Sequence, residues 1–330
     1  MGRRNKMAKV ILWWITGICV ILILWIFVAY LMSMNRAYER ISGKSSVISS
    51  PFGNIEYMEG GNVSGDPVLV VHGAGGGFDQ GELIAETVLD DQFRWIIPSR
   101  FGYLGSSLPE NATWDDQADA YAYLLDHLEV EKAAVVAMSQ GGPSALLFAV
   151  NYPERVSSLT CISCGVAASE SEFQAGANKK GNALKVIFTY NFPYWAISKL
   201  FKKQFMGILG VDEEVVAGLT PGQFEMVEYF IDSMNPAAPR STGAAFDNEA
   251  TLPGGRIASI KAPTLIIHAK DDLLQLYHNA EFTASAIAGS MLMSYESGGH
   301  ILMAVEQEAI RPAVYNHIIA PEESMNISIE

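Results

Sequence analysis

Cysteine is scarce, with three in 330 residues. That excludes a disulfide-stapled scaffold, and a chain of this length can instead bury a substantial core, since nearly half of it is hydrophobic. Cys161-Ile162-Ser163-Cys164 spells C-x-x-C, but the stretch Val156 to Cys164 reads as a buried strand. Side chains three apart on a strand face opposite sides, so two separate buried thiols are expected rather than a disulfide or a shared metal. Basic residues are also few: 22 against 36 acidic, for a net charge of −14. Residues 1–44 carry seven of the basic groups and one acid, so the rest of the chain is strongly anionic. Such a surface excludes nucleic acid as a partner. No histidine pair has metal-ligand spacing, so no metal is expected. Gly75-Gly76-Gly77 lacks the G-K-[ST] ending of a phosphate-binding P-loop, so no nucleotide cofactor is expected either.

One long apolar run is present. Val10 to Met32 holds 23 residues without a charge, enough to cross a bilayer as a helix. It is too long for a signal-peptide core, and Tyr30-Leu31-Met32-Ser33-Met34 is a poor cleavage site, so an uncleaved anchor is expected. Arg3, Arg4, Lys6 and Lys9 precede it; Arg36, Arg40 and Lys44 follow, with Glu39 among them. The positive-inside rule then points to a cytoplasmic N-terminus and an extracytoplasmic main domain. The expected organisation is a basic flank (1–9), a transmembrane helix (10–32), a polar tether (33–50), a core in two parts (51–164 and 257–320) around an insertion (165–256), and a tail (321–330).

Short apolar runs mark the strands. Ile55 to Met58 is read as a first, edge strand; Pro67 to Val71, Phe93 to Ile97, Ala133 to Met138, Val156 to Cys164, Ala262 to His268 and Met291 to Tyr295 follow. Helical spacing separates them, as in Asp115 to Leu128, where Ala118, Tyr121, Leu124, Leu125 and Leu128 share a face. Alternating strands and helices imply right-handed crossovers and a mostly parallel sheet covered on both faces. Ligands in such sheets bind beyond the carboxyl ends of the strands. His72, Ser139, Asp272 and His300 each lie just after a strand.

The organising stretch is Val135-Val136-Ala137-Met138-Ser139-Gln140-Gly141-Gly142, an apolar run broken by a serine and followed by small residues and a helix. It is close to the G-x-S-x-G pattern of a sharp strand-to-helix turn, with alanine at the first position. A serine hydroxyl needs a neighbouring base, itself oriented by a carboxylate, and N–H donors aimed at the oxyanion. The order Ser139, acid, His300 meets that need, and with these motifs residues 51–318 resemble the α/β-hydrolase fold superfamily. The resemblance implies a helical cap inserted in the sheet at 165–256, Ser139 as nucleophile and His300 as general base. By the family's strand-H-G-x-x-D pattern counted from His268, it implies Asp272 as the acid, with Asp271 the near alternative and Glu170, after the preceding strand, a more distant one. It implies the N–H groups of Ala74 and Gln140 as oxyanion donors, Gly75 standing in for the first, and His72 as a loop-holding residue. Ser99 to Ser106 resembles the family's D-x-x-G-x-G-x-S turn, with serine in place of the opening acid.

The expected function is a membrane-anchored serine hydrolase of a lipophilic carboxylic ester, needing no cofactor. The alternatives are a non-catalytic, membrane-tethered binding protein and, among enzymes, a carbon–carbon hydrolase, a lyase or a proline-type peptidase. Asp79 and Glu82 read as solvated loop residues. Phe173 to Val211 contains no acid but six lysines, Lys179, Lys180, Lys185, Lys199, Lys202 and Lys203, interleaved with aromatics. That composition suits anionic lipid headgroups; the other reading is a cap whose aromatics line an acyl pocket while its lysines are solvated.

Overall fold

The computed structural model describes residues 2–166, 179, 182–183, 185–209 and 211–324. The chain divides into two units, 1–42 and 43–330. The first is a single helix, α1 (Gly2–Ile41). Its portion from Lys9 to Ile41 is long and apolar enough to cross a membrane. Trp13, Trp14, Ile21 and Trp25 are all exposed along it, an all-round apolar surface of the kind that suits lipid. Helix therefore replaces the first part of the expected tether, since nothing between Ser33 and Ile41 breaks it.

The second unit is built on one eight-stranded sheet, in the order β1-β2-β4-β3-β5-β6-β7-β8. The strands are β1 (Ser46–Ser50), β2 (Gly53–Gly61), β3 (Pro67–Val71), β4 (Arg94–Pro98), β5 (Ala133–Met138), β6 (Val156–Ile162), β7 (Thr264–Ala269) and β8 (Met291–Tyr295). β1 and β2 are antiparallel to their neighbours; every later pairing is parallel. β1 corrects two expectations. The edge of the sheet is Ser46–Ser50, which had read as tether, and β2 is the second strand. An edge strand is wet along much of its length, so Ser-Val-Ile-Ser-Ser carries too little apolar signal to announce itself.

Helices α2 (Phe78–Val88), α3 (Trp114–His127) and α4 (Gly142–Asn151) connect the central strands. β5 and β7 are buried at every residue, which is why they read as unbroken apolar runs rather than alternating ones. Thr113 caps α3 reciprocally with Asp116, fixing where that helix starts. The main core packs Tyr121, Leu124, Leu125, Leu146 and Phe148 against Leu69, Val135 and Leu159 of the sheet.

Between β6 and β7 the described residues form helices and no strand: α5 (Asn191–Leu200), α6 (Lys202–Ile208), α7 (Glu213–Gly218), α8 (Pro221–Ser233) and α9 (Ser241–Glu249). This insertion has its own apolar cluster, including Tyr194, Phe205, Met206, Val227 and Ile231, with Ile301 joining from beyond β8. The chain ends in α10 (His278–Ala286), α11 (Leu302–Val305), α12 (Gln307–Ile319) and a helical turn, α13 (Pro321–Ser324), inside the expected tail. Residues 325–330 lie outside the described ones.

Candidate active site

The turn after β5 places Ser139 at φ +52°, a conformation that non-glycine residues rarely adopt. Glycine follows for a steric reason. A Cβ on Gly141 would sit 2.5 Å from Val71 O and 2.7 Å from His72 O, so the helix can start beneath β3 only if that position is bare. Ala137, fully buried in β5, fits without difficulty. The serine is thereby held beyond the sheet in the helical turn leading into α4, whose N-terminal end favours negative charge.

Two loops bring partners to it. His300, just after β8, has Nε2 3.0 Å from Ser139 Oγ, in line to accept its proton. On the other side of the ring, His300 Nδ1 lies 2.8 Å from Asp272 Oδ2 and donates to it. Asp272 is 2% exposed and accepts the N–H groups of Leu274 and Gln275 on its other oxygen. Burial opposes its ionisation, but the charges and hydrogen bonds of His300 and His268 outweigh that and hold its carboxyl well below the usual range. His268 Nε2 donates to Gln275 O at 2.7 Å, tying down the loop that carries the acid.

Asp271 stands apart from the histidine ring. Its carboxylate accepts Ser297 Oγ and the N–H groups of Gly298 and Gly299, so it braces the backbone leading into His300. The two adjacent acids thus divide between ring and loop, a division that adjacency in sequence does not reveal.

Ala74 lines the cavity beside Ser139 and His300, and Gln140 follows the serine in the same helical turn. Gly75, the alternative donor, gives its N–H to Tyr103 Oη at 3.3 Å. His72 lies against the loop, its Nδ1 2.7 Å from Gly73 O and its Nε2 accepting the Arg100 N–H. Burial, then the Arg100 charge, push its pKa well below 6.5, so it is a neutral brace.

The Ser99 to Ser106 turn lacks an opening acid in sequence but has one in space. Glu56 of β2 accepts Ser99 Oγ at 2.8 Å and Gly105 N at 2.9 Å, replacing the missing carboxylate from the neighbouring strand.

Several site-adjacent residues escaped the sequence reading. Asp79 is buried in α2, not solvated, because Arg240 of the insertion grips both its oxygens at 2.9 and 2.8 Å. Arg100 and Asp247 form a second buried bidentate pair, with both contacts at 2.7 Å. The one available signal was an arginine set directly after an apolar strand. Cys164 also departs from expectation. Ser163 turns at φ +48° after β6 ends, so Cys164 swings back towards Cys161; burial, then that neighbouring thiol, raise its pKa. Both thiols are free and buried.

Ion pairing alters the picture of the basic stretch. Lys185 reaches Glu249 at 2.5 Å, while Lys199 pairs with Asp232 and Lys202 with Glu228. The balancing acids come from α8 and α9, beyond the window in which no acid was seen. Glu170, Lys180 and residues 173–178 lie outside the described residues. Among the aromatics, Phe188, Tyr194 and Phe205 are buried, and Phe188 borders the cavity. That cavity is almost wholly apolar, with Leu209, Met226, Phe230, Ile231, Met234 and Leu274 among its walls. No lysine, arginine, aspartate or glutamate lines it among the described residues.

Residues 66–307 match the model of the alpha/beta hydrolase fold family. A solved α/β-hydrolase fold protein from Nakamurella multipartita superposes with a TM-score of 0.65 at 26% identity, covering 83% of this chain and 98% of that one. The chain is 26% identical over 253 residues to 2-hydroxymuconate semialdehyde hydrolase of Pseudomonas sp., covering 72% of this chain and 81% of that protein. It spans about two fifths or less of the length of the curated relatives it matches at 32–41% identity, such as lipase 3 of Moraxella sp., where identity is 32% over 134 residues, 39% of this chain and 41% of the lipase. The chain belongs to the alpha/beta hydrolase fold family.

Proposed function

We propose that this hydrolase cleaves a neutral, lipophilic carboxylic ester through an acyl-enzyme on Ser139. His300 takes the serine proton as Oγ attacks the carbonyl carbon, then returns it to the departing alcohol. Asp272 fixes the ring with Nδ1 protonated and stabilises the imidazolium. Ala74 and Gln140 N–H groups receive the oxyanion. Water then attacks the acyl carbon, with His300 again as base, and the carboxylic acid leaves.

The observation that carries this reading is the hydrogen-bonded line from Ser139 to His300 to Asp272, opening on an apolar cavity. A second reading, carbon–carbon bond hydrolysis, draws on the likeness to 2-hydroxymuconate semialdehyde hydrolase over 72% of this chain. The cavity favours esters: its described walls hold no cation to receive an anionic substrate. A non-catalytic binding protein would have no need of the aligned serine, histidine and acid.

Residues 10–32 are proposed as a single membrane anchor, with the N-terminus cytoplasmic and the hydrolase domain on the other side. The supporting feature is the helix from Lys9 to Ile41. The insertion at 165–256 is proposed as a cap over the site. Phe188 of its basic stretch is assigned to the acyl cavity rather than to lipid, and three of the lysines there are already neutralised. A panel of p-nitrophenyl esters of rising chain length, run beside an anionic dienoate, tests the proposal. Turnover of the esters, lost in Ser139→Ala, is expected; turnover of the dienoate alone would replace it with the second reading.

A further inference from the structure

In the loop from His72 to Gly77, five backbone polar groups are held by side chains. Gly73 N–H donates to Gln80 Oε1 at 2.9 Å, and Gly75 N–H to Tyr103 Oη. Gly73 O accepts Arg100 Nη2 at 3.1 Å, His72 O accepts Arg100 Nε at 2.8 Å, and Gly76 O accepts Arg240 Nη1 at 2.6 Å. The Gly73 carbonyl and the Ala74 N–H belong to one planar trans peptide, so they point in opposite directions. Arg100, together with His72 Nδ1 at 2.7 Å and the Gly76 N–H at 3.3 Å, anchors Gly73 O and so aims the Ala74 N–H away from it, and Ala74 borders the cavity beside Ser139. Arg100 is in turn clamped by Asp247 of α9, which also accepts Tyr103 Oη at 2.6 Å. Arg100 and the Asp247 side chain are fully buried, so neither has a water shell to replace the other.

We infer that Arg100 and Asp247 are positioning residues that aim the Ala74 N–H at the oxyanion, making the helical insertion part of the oxyanion device. The pair crosses from the core loop after β4 to the insertion, and its fork holds two successive carbonyls of the loop while its partner carboxylate fixes Tyr103. An insertion seated without Asp247 in place would leave the guanidinium free to turn, and Gly73 O would lose its Nη2 contact and keep only those from His72 Nδ1 and the Gly76 N–H. This inference rests on the serine-hydrolase reading.

The test uses the full chain in detergent and two variants. Arg100→Met/Asp247→Leu removes both charges together, which avoids leaving one buried and alone. Arg100→Lys keeps a cation for Asp247 but cannot grip two carbonyls and a carboxylate at once. The readouts are circular-dichroism melting, kcat and KM on a p-nitrophenyl ester, and Ki for a trifluoromethyl ketone. In that inhibitor Ser139 Oγ bonds to the ketone carbon, its proton passes to His300, and the carbonyl oxygen becomes the oxyanion. Folded variants are expected to lose roughly 10- to 100-fold in kcat, with Ki raised by about the same factor and KM within about threefold. A folded variant with unchanged kcat and Ki overturns the inference, as does failure of both variants to fold, which would make the pair purely structural. Lysine restoring full activity would reduce the role to charge and overturn the positioning claim. A wild type inert to both ester and ketone would instead remove the serine-hydrolase reading beneath it.

Discussion

His300 Nδ1 lies 2.8 Å from Asp272 Oδ2, while the adjacent Asp271 turns to the backbone of Gly298 and Gly299. Two neighbouring carboxylates thus serve one histidine in different ways, one through its ring and the other through its loop. Asp272→Asn loses the charge that stabilises the imidazolium and favours the wrong ring tautomer. Its kcat is expected to fall by roughly 10³–10⁴ with the fold intact. Asp271→Asn leaves the ring contact in place and is expected to cost about tenfold in kcat, together with a lower melting temperature. Steady-state kinetics and thermal melts of the two variants separate the roles; equal losses would contradict the division.

Gly141→Ala places a Cβ against two backbone carbonyls, Val71 O and His72 O, neither of which is free to move. The expected cost is about 1–3 kcal/mol in urea unfolding, with activity lost in step because the turn carries Ser139. Gly255→Ala, where a Cβ meets nothing within 4 Å, is the matched control and is expected to be close to neutral.

His72 contributes a pH dependence of stability. Its pKa is lowered in the folded state, chiefly by burial. Below about pH 6.5 the unfolded chain takes up a proton that the folded chain refuses, so stability falls as pH drops through that value. Asp272 shifts downwards too, so its contribution persists above the usual carboxylate range and is lost only in much stronger acid. Melting temperatures of wild type and His72→Asn from pH 7.5 to 5 are expected to converge as pH falls. Parallel curves would assign the loss to other groups.

The cavity wall predicts chain-length selection. Met234 is almost fully buried and lines the cavity. Met234→Trp is expected to lower kcat/KM for long acyl chains by about tenfold relative to acetate, since each methylene excluded from an apolar site is worth roughly 1–3 kcal/mol. A uniform loss across the p-nitrophenyl series would show that the acyl chain lies elsewhere.

Sequence legibility followed burial. β5 and β7, buried on both faces, read from Ala133–Met138 and Ala262–His268 as short apolar runs, the second set within two residues of the observed strand. The residues brought together around Ser139 were legible because each follows a strand, and parallel strands end on the same side of the sheet. What escaped was whatever depends on a distant partner. Asp79 looked solvated because Arg240 is far along the chain. Ser99 looked like a lost acid because Glu56 supplies the carboxylate from another strand. Cys164 was misplaced because a single turn at Ser163 lies below the reach of strand periodicity. β1 was missed because its exposed residues resemble a linker.

Intact-mass analysis after fluorophosphonate treatment decides whether Ser139 is the nucleophile. The folded wild type is expected to gain one phosphonyl group, mapped by peptide sequencing to Ser139, and Ser139→Ala to gain none. A folded wild type that stays unmodified, or equal labelling of Ser139→Ala, would contradict that role.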